Sequence, residues 1–122
     1  MAKTKIRVLA LDLDGTLTND QKIVPPRTRA ALDAAAAAGV TIVLASGRPT
    51  AGITPLANDL GLPAKGGCIL AYNGGAIVDC KSGEVLYQKR LAPELVPELC
   101  AFAAKEDFAI LTYNKEGVVT ER

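Results

Sequence analysis

The run Ile6-Arg7-Val8-Leu9-Ala10-Leu11 is nearly continuous in apolar residues and breaks at Asp12-Leu13-Asp14-Gly15-Thr16. A short apolar run of this kind suits a strand buried on both faces, and such strands belong to parallel sheets covered by helices. The residues that end it are turn formers. A helix is predicted from about Pro26 to Ala38, because Pro26 fits a first helical turn and Gly39 a stop. Val40 to Ala45 is a second buried strand, ending at Ser46-Gly47-Arg48. A second helix runs from Thr50 or Gly52 to Leu60, with Gly61 as its stop, and Cys68 to Tyr72 is a third strand, followed by Asn73-Gly74-Gly75. This alternation of strand and helix predicts an α/β fold with a parallel sheet and right-handed crossovers.

The pattern changes after Gly75. Ala76 to Asp79 and Val85 to Arg90 read as a hairpin around Lys81-Ser82-Gly83-Glu84. An amphipathic helix from about Pro93 to Lys105 carries Leu95, Leu99 and Phe102 on one face, which reads as a core face. Phe108 to Tyr113 and Val118 to Thr120 form a second strand pair across Asn114-Lys115-Glu116-Gly117. Hairpin, helix and hairpin make an α+β unit, so the predicted boundary divides residues 1–75 from residues 76–122. An apolar strand running up to Arg122 with no polar tail reads as a chain that continues.

Composition removes several classes of function. The 122 residues are 49% hydrophobic and 22% charged, which supports a packed core, and the net charge of +1 gives no footprint for nucleic acid or an anionic membrane. The N-terminal apolar run is too short for a signal peptide or a membrane span, which points to a cytoplasmic protein. There is no histidine, and Cys68, Cys80 and Cys100 form no CxxC pair. A structural zinc site, a disulfide framework and histidine-based nucleophilic catalysis are thereby disfavoured, and the cysteines read as buried or indifferent reduced thiols.

In a doubly wound sheet, ligands bind at the carboxyl ends of the strands. Asp12 and Asp14 follow strand one, Ser46 follows strand two and Asn73 follows strand three, so all four edge one crevice. Two carboxylates so close repel each other unless positive charge lies between them, and hard oxygen donors of this kind favour Mg²⁺. Capping or turn formation is the plain structural alternative for Asp12 and Asp14, and a turn asparagine for Asn73.

Three motifs in order resemble a known family. Leu11-Asp12-Leu13-Asp14-Gly15-Thr16-Leu17 resembles the first motif, DxDGT, of the haloacid dehalogenase superfamily. Ala45-Ser46-Gly47-Arg48-Pro49 resembles its second motif. Tyr72-Asn73-Gly74-Gly75-Ala76 resembles the stretch that leads into the α+β cap of its Cof-type phosphatases. The resemblance implies a Rossmann-like parallel core, represented by its first three strands, followed by part of an inserted cap. It implies a Mg²⁺-dependent phosphatase of a small phosphorylated metabolite, a sugar phosphate above all. Asp12 would be the nucleophile that forms an aspartyl-phosphate, and Asp14 the acid and then base. The metal would be held by the Asp12 carboxylate and the Asp14 backbone carbonyl. Phosphate or substrate would be bound by the Leu13-Asp14 turn, Ser46, Gly47, Arg48 and Asn73.

The family's later lysine and second acidic motif have no match in this sequence. A phosphate dianion beside two aspartates gathers about four negative charges, of which one Mg²⁺ cancels about two. The chain therefore reads as part of a longer protein, with little or no activity alone. A phosphomutase of the same fold and a non-catalytic phosphate-binding or assembly module are the alternatives. A receiver domain is disfavoured, since Asn73 stands where its acceptor aspartate would be. The resemblance also implies that strand one is central in the complete sheet, so self-association through an exposed strand one, or through the cap, is expected of the chain on its own.

Overall fold

The fold is that of a computed structural model, which describes residues 4–120. The readings of a leader and of a continuing chain rest partly on residues 1–3 and 121–122, which lie outside the described residues. The element order is β1 (Val8–Asp12), α1 (Pro26–Ala37), β2 (Thr41–Ala45), α2 (Thr50–Asp59), α3 (Leu62–Lys65), β3 (Cys68–Ala71), β4 (Ala76–Asp79), β5 (Val85–Gln88), α4 (Leu95–Lys105), β6 (Leu111–Tyr113) and β7 (Val118–Thr120). A single 3₁₀ turn over Tyr72–Gly74 joins β3 to β4.

The chain divides into two compact units between Gln88 and Lys89. The first contains the strands and helices of the predicted α/β core together with hairpin β4–β5. Its sheet has the order β1-β2-β3-β4-β5. β1 pairs parallel with β2 and β2 with β3, while β4 and β5 continue the sheet antiparallel. Pairing changes from parallel to antiparallel between β3 and β4. The division into compact units comes later because hairpin β4–β5 pairs with β3 and so extends the first sheet.

Helix α1 starts at Pro26 and stops before Gly39, which has φ +90°. The stop expected at Gly61 is observed, and α3 adds one further turn after it. Leu32, Ile53, Ala57, Leu60 and Leu62 pack on Ile42, Leu44, Ile69 and Ala71, one face of the strands. Leu13, Leu17 and Val24, from the segment between β1 and α1, close the same core.

Burial on both faces of strand one is not observed. Leu9 and Leu11 turn to the core, but Val8 is 57% exposed and Ala10 and Asp12 are exposed as well. Among the described residues β1 is an outer strand, and the core cluster lies on one face of the sheet only. The apolar run recorded the affinity of both faces for cover, and among the described residues only one face has it.

The second unit is the short helix α4 with the two-stranded sheet β6–β7. The expected core stripe of Leu95, Leu99 and Phe102 is not buried: these residues stay 43%, 43% and 57% exposed, and in this helix Ala103 is the buried side chain. One helix and one hairpin have too little surface to enclose such a stripe. Leu99 instead lines an apolar groove of about 260 Å³ with Val96, Cys100 and Leu111.

Candidate functional site

The parallel register sets the level of the site. Asp12 lies opposite Ala45, and Ala45 opposite Leu70, so the chain leaves β1, β2 and β3 close to one line. Beyond that line come Leu13-Asp14, Ser46-Gly47-Arg48 and Tyr72-Asn73.

The turn after β1 is organised around one acceptor. The Leu13 carbonyl receives the backbone N–H groups of Thr16, Leu17 and Thr18 at 3.2, 3.0 and 3.0 Å, and the Thr18 hydroxyl at 3.1 Å. The Leu13 side chain is buried in the core, so any contact of this residue with a ligand passes through its backbone. Buried Leu13 and Leu17 anchor the turn from beneath and leave Asp12 and Asp14 on the outside.

The two aspartates differ in environment. Asp12 is exposed and has no side-chain hydrogen bond or ion pair among the described residues. Asp14 uses Oδ1 twice, accepting Lys22 Nζ at 2.9 Å and Arg48 Nη2 at 2.5 Å. The hydrogen bond from Lys22, with a further contribution from Arg48, holds the Asp14 carboxyl below the usual carboxylate range.

The loop after β2 is tied to the loop after β3. Ser46 N–H donates to the Leu70 carbonyl at 3.0 Å, Asn73 N–H to the Ser46 carbonyl at 3.1 Å, and Tyr72 N–H to the Arg48 carbonyl at 2.9 Å. The Ser46 hydroxyl oxygen accepts the Arg48 N–H at 3.1 Å, and its own hydrogen has no acceptor among the described residues. The Asn73 side chain lies over Gly47. Tyr72 and Asn73 both have φ of +54°, followed by Gly74 at +97°. Left-handed backbone is disfavoured for a bulky residue by about 1–2 kcal/mol, and strain of this kind collects at binding sites.

The structure thus joins Asp14 to Arg48, Arg48 to Ser46, and Ser46 and Gly47 to Asn73, with Asp12 at the same level. Lys22, Thr18 and the strained Tyr72 were missed by the sequence reading. Asn19, three positions before Lys22, was the available sign of a tight turn there. The cysteines are half-buried and free, and burial, then the neighbouring Cys68 and Asp79, pushes the Cys80 thiol up to about 11, which argues against a thiolate nucleophile.

The donor set suits one side of a hard-cation shell. Asp12 offers an unpaired carboxylate, and the Asp14 carbonyl takes no backbone hydrogen bond among the described residues. No cluster of three or more acidic, cysteine or histidine side chains is found among the described residues. Mg²⁺ takes few protein ligands and keeps several waters, so these two oxygens fit it. No helix among the described residues is long and apolar enough to cross a membrane.

A sequence profile of haloacid dehalogenase-like hydrolases matches residues 9–122. A candidate phosphatase of Streptococcus pyogenes serotype M6 is 32% identical over 115 residues, which are 94% of this chain and 43% of that protein. The crystal structure of a haloacid dehalogenase-like hydrolase from Bacteroides thetaiotaomicron is 47% identical and superposes with a TM-score of 0.88 over 97% of this chain and 44% of its own. A subclass IIB sugar phosphatase is 27% identical, with a TM-score of 0.74 over 93% of this chain and 43% of its own. The chain therefore spans less than half the length of these proteins.

Proposed function

The chain belongs to the haloacid dehalogenase-like hydrolase family, and we propose that it carries the nucleophile-bearing part of a Mg²⁺-dependent phosphatase acting on a small phosphorylated metabolite. The observation that carries this reading is the contrast between the unpaired carboxylate of Asp12 and the twice-paired carboxylate of Asp14. A nucleophile needs a free lone pair, whereas a proton carrier needs a fixed orientation.

In this scheme an Asp12 oxygen attacks phosphorus while the bond to the leaving oxygen breaks, and protonated Asp14 gives that oxygen its proton. Water then attacks the aspartyl-phosphate, loses a proton to Asp14, and frees Asp12 as the phosphorus–Asp12 bond breaks. Mg²⁺, held by the Asp12 carboxylate and the Asp14 carbonyl, would offset phosphoryl charge. The Ser46 hydroxyl has a hydrogen to give a phosphoryl oxygen, and the backbone N–H groups of the Leu13-Asp14 turn and Gly47, with Arg48 and Asn73, complete the proposed binding set. Arg48 also brings positive charge to the place where phosphate and two aspartates would otherwise leave an excess of negative charge. Likeness to a sugar phosphatase supports a sugar phosphate as the substrate.

The test is phosphate release by the full protein that carries this chain. Asp12→Asn should abolish it, because an amide cannot attack phosphorus. Asp14→Asn should slow turnover severely while still permitting some transfer to Asp12. Near-normal turnover by a folded Asp12→Asn variant would refute the reading, and a rearranged phosphate ester in place of free phosphate would mark a mutase.

A further inference from the structure

The segment between the acidic turn and α1 is tied more closely than a simple connection requires. Asn19 Oδ1 accepts the backbone N–H groups of Gln21 and Ile23, each at 3.0 Å. Asn19 N–H donates to the Ile23 carbonyl at 3.0 Å, and Lys22 N–H to the Asn19 carbonyl at 2.9 Å. Thr18 on one side and Val24 on the other are buried, so both ends of this turn are anchored. The bonds hold Lys22 at φ +62°, a left-handed conformation that a lysine does not favour by itself.

An exposed lysine at a loop tip ordinarily extends into water. Lys22, with a side chain 64% exposed, instead places Nζ 2.9 Å from Asp14 Oδ1. Arg48 Nη2 takes the same oxygen from the other loop. Asp14 Oδ2 is left without a partner among the described residues.

We propose that Lys22 is a positioning residue for Asp14, presented by the Asn19 turn so that one carboxylate oxygen is held and Oδ2 alone exchanges the proton. The assignment rests on the phosphatase reading. In the first half-reaction the Oδ2 proton passes to the leaving oxygen as its bond to phosphorus breaks. In the second, water gives its proton to Oδ2 as the water oxygen bonds to phosphorus and the Asp12–phosphorus bond breaks. Lys22 itself exchanges no proton with substrate.

The experiment is steady-state kinetics of the full protein on a sugar phosphate with Mg²⁺, with circular dichroism of each variant to confirm folding. General acid–base catalysis contributes about 10²–10⁴-fold, and with each protein compared at its own pH optimum, so that the upward move of the Asp14 carboxyl is set apart, loss of one of two orienting bonds should remove about tenfold of it from kcat in Lys22→Met, with KM changed less than about twofold. Lys22→Arg, which keeps a charged donor, should recover most of the loss. Asn19→Ala, which loosens the turn and leaves Lys22 in the chain, should fall between wild type and Lys22→Met. Unchanged kcat in Lys22→Met would overturn the assignment, as would a raised KM at constant kcat, which would make Lys22 a substrate contact. Failure of Lys22→Arg to recover activity would count against it too. A wild-type protein that releases no phosphate would instead sink the phosphatase reading, and this assignment with it.

Discussion

The side-chain oxygen of Asn73 stands 2.9 Å from the point where a Cβ on Gly47 would lie, and its nitrogen 3.2 Å from that point. The amide fills the space of a missing side chain, so Gly47 is needed for close approach of the two loops. Gly47→Ala should displace the Asn73 side chain and destabilise the fold by about 1 kcal/mol, as in other overpacked sites. In an Asn73→Ala background the clash is gone and the same substitution should have a much smaller effect. A double-mutant cycle by urea unfolding checks this, and additive effects would show that the two side chains do not compete for this space.

Asp14 gives a prediction in pH. Its folded carboxyl is held below the ordinary value of 3.8, first by the hydrogen bond from Lys22 and then by Arg48. A carboxyl depressed on folding stabilises the protein above the unfolded value, and that contribution fades as pH falls through the folded value. Carbon-detected NMR of the Asp14 carboxyl should therefore show a midpoint below 3.8, moving upward in Lys22→Met. A wild-type midpoint at or above 3.8 would mean that the two ion pairs are absent in solution.

The metal gives a third. Phosphate release by the full protein should vanish with excess chelator and return with Mg²⁺. Ca²⁺ should inhibit, because its larger and looser coordination lets the Asp12 oxygen sit away from in-line attack. Undiminished turnover in chelator would remove the metal from the scheme.

The sequence made the candidate site's acidic and hydroxyl residues legible because they occupy fixed places, at or just past the ends of apolar strands, where topology alone brings them together. Asp12, Asp14, Ser46 and Asn73 could be placed in this way without knowing any side-chain contact. Lys22 could not, since a lysine in a polar loop belongs to no period and its partner is set by a turn that Asn19 closes. Arg48 was legible as a motif residue, but its pairing with Asp14 depends on how two loops from different strands converge. The exposed stripe of Leu95, Leu99 and Phe102 was misread for a related reason: periodicity reports which face seeks cover, and says nothing of whether a neighbour supplies it.

The exposed edge of the sheet bears on how these 122 residues behave alone. β1 has β2 on one side and no strand on the other among the described residues. Ile6, just before it, is 67% exposed and Val8, its first residue, 57%, and between Ile6 and Leu11 only Arg7 carries charge. Unpaired N–H and C=O groups flanked by apolar side chains are a template for pairing with another chain. The isolated chain should therefore self-associate at micromolar concentration, and Val8→Lys, which puts a charge on that strand, should shift it toward monomer. If Val8→Lys leaves the association intact, pairing through β1 is wrong, and the apolar groove bordered by Leu99 becomes the surface to alter next. Sedimentation velocity of the two proteins decides between these outcomes, and a wild-type chain that stays monomeric would show that the edge is protected by its own twist or by Arg7.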